Sequence, residues 1–220
     1  MTSLKKEVDK WDEIIDKEDI LRGIYAYGFD LPSEIQKQAL SHLIKGRDIL
    51  AQAHSGSGKT GAFTIGCLEK IDTSQTEIQA LILSPTHELT KQIYEVACNL
   101  GNRMSDLKIK TIYGGSLVRD DIRDIRDITP HLIIGCIGRV LDLLEKRIIN
   151  LDHLKILVLD EADEMLSTGV GTQIQYMFQT FVNKKTQVAL FSASIPDSIV
   201  SLTNEILNDP VHILVKKEDI

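Results

Sequence analysis

Residues 48–71 read DILAQAHSGSGKTGAFTIGCLEKI, and this stretch decides the fold. It opens with a short apolar run, passes through a loop carrying two glycines and a lysine, and closes in a segment of helical spacing. Strand, glycine-bearing turn and helix in immediate succession are the context a phosphate-binding loop requires. Gly56 and Gly58 let the backbone come close to an anion, while successive amides and the helix N-terminus point at it. Within Ala53-His54-Ser55-Gly56-Ser57-Gly58-Lys59-Thr60, Lys59 is placed to reach the β- and γ-phosphates of a nucleotide and the Thr60 hydroxyl to ligate Mg²⁺. Ala53 stands where such a loop usually opens with Gly. His54 reads as a variation at the loop's edge that tunes nucleotide affinity.

Outward from this stretch the pattern repeats. Short β-branched or aliphatic runs occur at 48–51, 80–84, 108–113, 131–136, 156–160, 187–192 and 211–215, and several (LILS, LIIG, ILVLD, VALFS) are continuous rather than alternating. Continuous runs fit strands covered on both faces, as in a parallel sheet. Helical spacing lies between them at 58–71, 86–104, 117–127, 139–146, 173–182 and 196–207. The alternation predicts an α/β domain with a mostly parallel sheet of about seven strands and helices on both faces. No linker-like composition divides the chain. The expected division is an N-terminal arm and first helix over 1–27, one ATP-binding domain over 28–215, and the start of a linker at 216–220.

A second motif matches the first. In ILVLDEADEML, residues 156–166, a buried apolar run ends in two acids. Ligands bind open α/β sheets at the C-terminal ends of strands. There Asp160 is suited to the Mg²⁺ shell and Glu161 to taking a proton from an attacking water. Two acids at a helix start also complement its dipole; a phosphate lysine about 100 residues upstream favours catalysis.

Composition narrows the partners. The 220 residues carry a formal net charge of −7, so nucleic acid would have to be held by a local surface rather than by an overall positive field. Apolar residues at 43% and charged residues at 26% are ordinary for a globular chain. No run of about 18 apolar residues is present, which excludes a membrane-spanning helix. The N-terminus lacks the apolar core of a secretory signal. Cys67, Cys98 and Cys136 are scattered and odd in number, as expected for reduced thiols in the cytoplasm or nucleus. The six histidines do not cluster, and no Cys-x-x-Cys occurs, so a zinc site is not expected.

Asp160-Glu161-Ala162-Asp163 spells D-E-A-D. With GIYAYGFDLPSEIQ (23–36), AQAHSGSGKT and the closing ILVKKED, the chain resembles the first RecA-like domain of the DEAD-box ATP-dependent RNA helicases. These stretches are most similar to the family's translation-initiation branch. The resemblance implies a RecA-like fold of the P-loop NTPase class, with ATP and Mg²⁺ as cofactors. RNA, a second RecA-like domain and an initiation-factor scaffold are the implied partners, and no membrane is implied. Residues 28–36 match the family's Q motif, where Gln36 would read the adenine edge and Phe29 would stack on its ring; Trp11 keeps an aromatic where the family has Phe. Ser192-Ala193-Ser194 matches Ser-Ala-Thr, and Ser192 and Ser194 with Asp163 would couple the nucleotide site to the RNA side.

The RNA-facing motifs depart from the family pattern. Pro85-Thr86-His87-Glu88-Leu89-Thr90 stands where the family has Pro-Thr-Arg-Glu-Leu-Ala. His87 thereby replaces a permanently charged guanidinium with an imidazole. Gly114-Gly115 matches the glycine pair that admits RNA backbone. Cys136-Ile137-Gly138-Arg139 stands for Thr-Pro-Gly-Arg, keeping Gly138 and Arg139 but losing a hydroxyl and a rigid Pro. The expected function is ATP-dependent unwinding or remodelling of short RNA duplexes, the isolated domain being nearly inactive. The alternatives are a catalytically weak relative that binds RNA or a scaffold, suggested by His87 and Cys136-Ile137, and an unrelated ATPase sharing only the phosphate loop.

Overall fold

The computed structural model describes residues 10–115 and 117–216. Seven strands form one sheet: β1 (Ile49–Ala53), β2 (Ala80–Leu83), β3 (Ile109–Ile112), β4 (Leu132–Gly135), β5 (Ile156–Leu159), β6 (Gln187–Ser192) and β7 (Val211–Val215). Their order is β3-β4-β2-β5-β6-β1-β7, and every neighbouring pair is parallel. All strands therefore end on one rim. All seven expected strands are present. β1 runs two residues further than its apolar run, because Gln52 and Ala53 pair with Leu214 and Val215 of β7. Ala53 thus closes the strand, and the loop begins at His54.

The continuous runs are continuous because both faces are covered. Ala80 and Ile82 of β2, Leu132 and Ile134 of β4, and Ile156 and Val158 of β5 pack into one core. Their alternates Leu81, Leu83, Ile133, Leu157 and Leu159 pack into a second core on the other face. The edge strands differ. β3 alternates as IKTI and β7 as VHILV, with partial burial. An edge strand has one side of its ladder open, and polar positions there oppose edge-to-edge pairing.

Helices α1 (Glu18–Tyr27), α2 (Glu34–Ile44), α3 (Lys59–Lys70) and α4 (His87–Leu100) contribute Ile24, Leu40, Phe63 and Ile93 to the first core. Helices α5 (Val118–Ile128), α6 (Ile137–Glu145), α7 (Ala162–Ser167), α8 (Gly171–Thr180) and α9 (Asp197–Ile206) contribute Ile125, Leu141, Met165, Met177 and Ile199 to the second. The helical patterns read from the sequence omit α2, although Ser33-Glu-Ile-Gln36 carries the signal of its start. Ser33 and Gln36 form a capping box, in which the Ser33 amide donates to Gln36 Oε1 at 2.8 Å. Other boundaries move by a few residues at caps. Thr86 is the N-cap of α4, accepting from the Leu89 amide, and Gly101 follows its end. Of the expected arm and linker, residues 1–9 and 217–220 lie outside the described residues.

Candidate functional site

The phosphate loop joins β1 to α3, and its backbone is set by Gly56 (φ 82°) and Gly58 (φ 99°), both in the left-handed region where a side chain is strained. A Cβ on Gly58 would also lie 2.6 Å from Ser33 Oγ, because the segment before α2 is folded against the loop. Ser33 Oγ donates to the Ser57 carbonyl at 2.8 Å, and Gln36 Nε2 donates to the Gly58 carbonyl at 3.2 Å. Gln36 therefore caps a helix with its oxygen and pins the loop with its nitrogen. Phe29 packs alongside: a Cβ on Gly61 would lie 2.9 Å from its ring. The Trp11 ring is stacked on Phe29 at 6.1 Å between centroids, and its indole N–H donates to the Phe29 carbonyl at 3.0 Å. Trp11 is fully buried, so its role here is to anchor the Phe29 segment.

The acids after β5 meet the loop. Lys59, 6% exposed, forms an ion pair with Glu161 at 3.0 Å. Glu161 holds a left-handed backbone (φ 49°) at the N-cap of α7, an unusual conformation for a non-glycine residue that aims its carboxylate at the lysine. Asp160 is buried beside it. Burial, reinforced by the neighbouring Glu161 carboxylate, raises its pKa to about 7 against the pull of Lys59. Its Oδ1 is a buried atom without a hydrogen-bond partner, as are Ser57 Oγ and His54 Nδ1. A buried unmatched polar atom costs about 1–3 kcal/mol, so three around one loop mark a site completed by a ligand. A carboxylate oxygen beside the Thr60 hydroxyl's loop is also the donor chemistry that Mg²⁺ selects, so the residues present fit a nucleotide with its metal.

Asp163 ties β5 to β6. Its carboxylate accepts from the Ser194 hydroxyl at 2.7 Å and the Ser194 amide at 3.0 Å, while the Asp163 amide donates to Ser192 Oγ at 3.3 Å. Burial would raise the pKa of Asp163, but the hydrogen bonds from Ser194 and Ser192 outweigh it and hold the carboxyl below its ordinary range.

The residues expected to face RNA follow β2, β3 and β4, on the same rim but over the other half of the sheet. His87 is exposed and leans over the glycine turn, its imidazole 3.7 Å from where a Cβ on Gly114 would sit and 3.9 Å from one on Gly115. Thr86 spends its hydroxyl on the α4 cap. Pro85 is half-buried, and Gly138 is exposed with open space where its Cβ would be. Arg139 is turned inward into a buried ion pair with Asp121 of α5. Sequence reasoning found Arg139 but not Asp121, which lies among several acids in the helical spacing at 117–127. Ser33, equally unforeseen, was marked only by the capping box. The two departures at Thr90 and Cys136 touch: Thr90 Oγ1 lies 3.6 Å from Cys136 Sγ and 2.7 Å from Ser84 Oγ, linking the ends of β2 and β4.

Residues 33–202 match the family model described as DEAD/DEAH box helicase, which is most of the chain. The chain belongs to the DEAD/DEAH box helicase family. This DEAD-box chain is 46% identical over 213 residues to the ATP-dependent RNA helicase eIF4A of Pyricularia oryzae, covering 97% of this chain and 53% of that protein. The Neurospora crassa protein of the same name is likewise 46% identical, with the same coverage of both chains. The chain thus spans about half the length of these curated relatives. Among solved structures, a DEAD box protein from Methanococcus jannaschii superposes with a TM-score of 0.90 at 32% identity, covering 96% of this chain and 57% of that one. Saccharomyces cerevisiae Dbp5 bound to RNA and ADP BeF3 gives 0.84 at 32% identity, covering 95% and 52%. The fold is accordingly the RecA-like α/β domain of DEAD-box proteins, and among the described residues no helix is long and apolar enough to cross a membrane.

Proposed function

We propose that this chain is the ATP-binding half of an ATP-dependent RNA helicase that remodels short RNA duplexes in translation initiation, in the cytoplasm. The observation that carries the reading is the Lys59–Glu161 ion pair, set beside the unpartnered Asp160 oxygen and beneath the 54–60 loop. Entry of a triphosphate gives Lys59 a richer anion than Glu161 and frees that carboxylate to accept a proton from the attacking water. Gln36 and Phe29 hold the base, while the amides of Ser55–Thr60 and the start of α3 hold the phosphates. Mg²⁺, held by Thr60 and Asp160, would spread the charge of the β- and γ-phosphates. RNA crosses the ends of β2, β3 and β4, and the Asp163–Ser194 link, which joins the segments following β5 and β6, couples the nucleotide site to the RNA side.

The division we propose is an arm and first helix over 1–27, the ATP-binding domain over 28–215, and a linker from 216 leading to a second RecA-like domain. That domain supplies the arginines that stabilise charge on the transferring phosphoryl group. A middle-domain initiation scaffold is a further partner. The experiment is titration of the chain with a fluorescent ATP analogue in Mg²⁺ buffer. The wild-type chain binds and Lys59→Ala loses binding by more than tenfold; equal affinity for the two would sink the reading.

A further inference from the structure

On the RNA half, one cluster is not accounted for by phosphate contacts. Tyr113 sits where β3 ends, immediately before Gly114 and Gly115. The His87 imidazole lies on its ring, 4.9 Å between centroids and tilted by 31°. The Lys91 ammonium, one helical turn along α4 from His87, stands 5.6 Å from the same ring centroid. Tyr113 is half-buried while His87 is exposed, so the imidazole is the outer member of the stack. The neighbouring glycines place no side chain over it. Two overlapping, tilted rings with a cation beside them, at a turn open to a polynucleotide backbone, are the components of a single-strand stacking platform. In a protein of net charge −7, ring stacking also supplies affinity that does not depend on an electropositive field.

We infer that His87 and Tyr113 form a base-stacking subsite on which one unpaired nucleobase of the RNA strand lies, with Lys91 facing the adjacent phosphate. This rests on the RNA reading of the preceding section and deepens it, since the glycine turn addresses only backbone. The subsite is sequence-tolerant, because every base presents a π-face. Tyr113 acts as a positioning residue that fixes the imidazole plane, and His87 as the group that touches the base.

The test compares two strands of equal length and charge, single-stranded oligouridylate and an abasic ribose-phosphate oligomer, by fluorescence anisotropy at low salt. The wild-type chain binds the base-bearing strand about tenfold more tightly than the abasic one. Tyr113→Leu removes that preference while leaving affinity for the abasic strand unchanged, His87→Ala also removes the preference, and Tyr113→Phe keeps it. A 2-aminopurine placed in the strand is quenched by the wild-type chain and by Tyr113→Phe, but not by Tyr113→Leu. Equal wild-type affinity for the two strands would overturn the stacking subsite while leaving the RNA reading intact. Losses in the variants that are equal for both strands would do the same. No binding of either strand would overturn both. Circular dichroism of each variant confirms the fold, and Tyr113→Phe, which preserves volume and ring, keeps the comparison decisive should Tyr113→Leu fold poorly.

Discussion

The two halves of the C-terminal rim treat their functional groups differently. Over β5, β6 and β1, polar atoms are buried and left unmatched: Asp160 Oδ1, Ser57 Oγ and His54 Nδ1. Over β2, β3 and β4, the corresponding groups are consumed by the fold. Arg139 is paired with Asp121, the Thr86 hydroxyl caps α4, and Thr90 and Cys136 contact each other. The first half keeps polar atoms available to a ligand, which suits a tight and chemically specific one. The second is satisfied by itself, which suits a ligand that is held by surface and then released. A chemical site stores unmatched polarity, whereas a transient gripping surface cannot, because the grip would then be too costly to break.

The strongest test of this contrast lies on the nucleotide half. Glu161→Gln, made in the two-domain protein, removes the proton acceptor but keeps shape and leaves Lys59 available, so ATP binding persists while hydrolysis falls by about 10²–10⁴-fold. Steady-state turnover with RNA, set beside equilibrium binding of ATP, measures both; an unchanged rate would remove Glu161 from the base role and blur the contrast.

Next in size is Asp121→Ala on the RNA half. Leaving the Arg139 charge buried without its carboxylate should cost about 3–5 kcal/mol of unfolding free energy, measured by urea denaturation of the chain. A loss below about 1 kcal/mol would mean that Arg139 is not committed to the fold and is free to serve RNA.

The smallest effect is within the nucleotide half, where the segments following β5 and β6 meet. Ser194→Ala removes one hydroxyl bond to Asp163 and should cost about 1 kcal/mol. The sign with pH follows from the depressed carboxyl. Its contribution is fully present above the unfolded carboxylate value of about 3.9 and is lost as pH falls through the lower folded value. The variant should therefore match the wild type more closely in acid than at neutral pH, and carbon-13 titration should show the Asp163 carboxyl moving up. A stability difference that grew in acid would contradict the assignment.

How much of this was readable in the sequence follows the same division. LILS, LIIG, ILVLD and VALFS announced strands covered on both faces, because both-face burial leaves no polar alternates. The loop and the acid pair were legible because their chemistry is local, a few adjacent residues at a strand end. The end of β1 was not, since Gln52 and Ala53 are held by pairing with β7 some 160 residues away. Nor was the role of Asp121: in VRDDIRDIRDI it is one acid among several, and only the fold brings it to Arg139. The expected contact of Gln36 with adenine came from the resemblance alone; its additional contact to Gly58 depends on the approach of two segments 22 residues apart and could not be read locally.

The parallel sheet has one more consequence. With every strand running the same way, both ligand surfaces share one rim, and the opposite rim carries the turns at 72–77 and 183–185. Lys184 and Lys185 lie there, exposed in a turn closed by the Thr186 amide on the Asn183 carbonyl. A dye or surface tether attached at that turn would sit one strand length, about 15–20 Å, behind the nucleotide and the RNA. It is a ready handle for watching single molecules at work without touching either ligand.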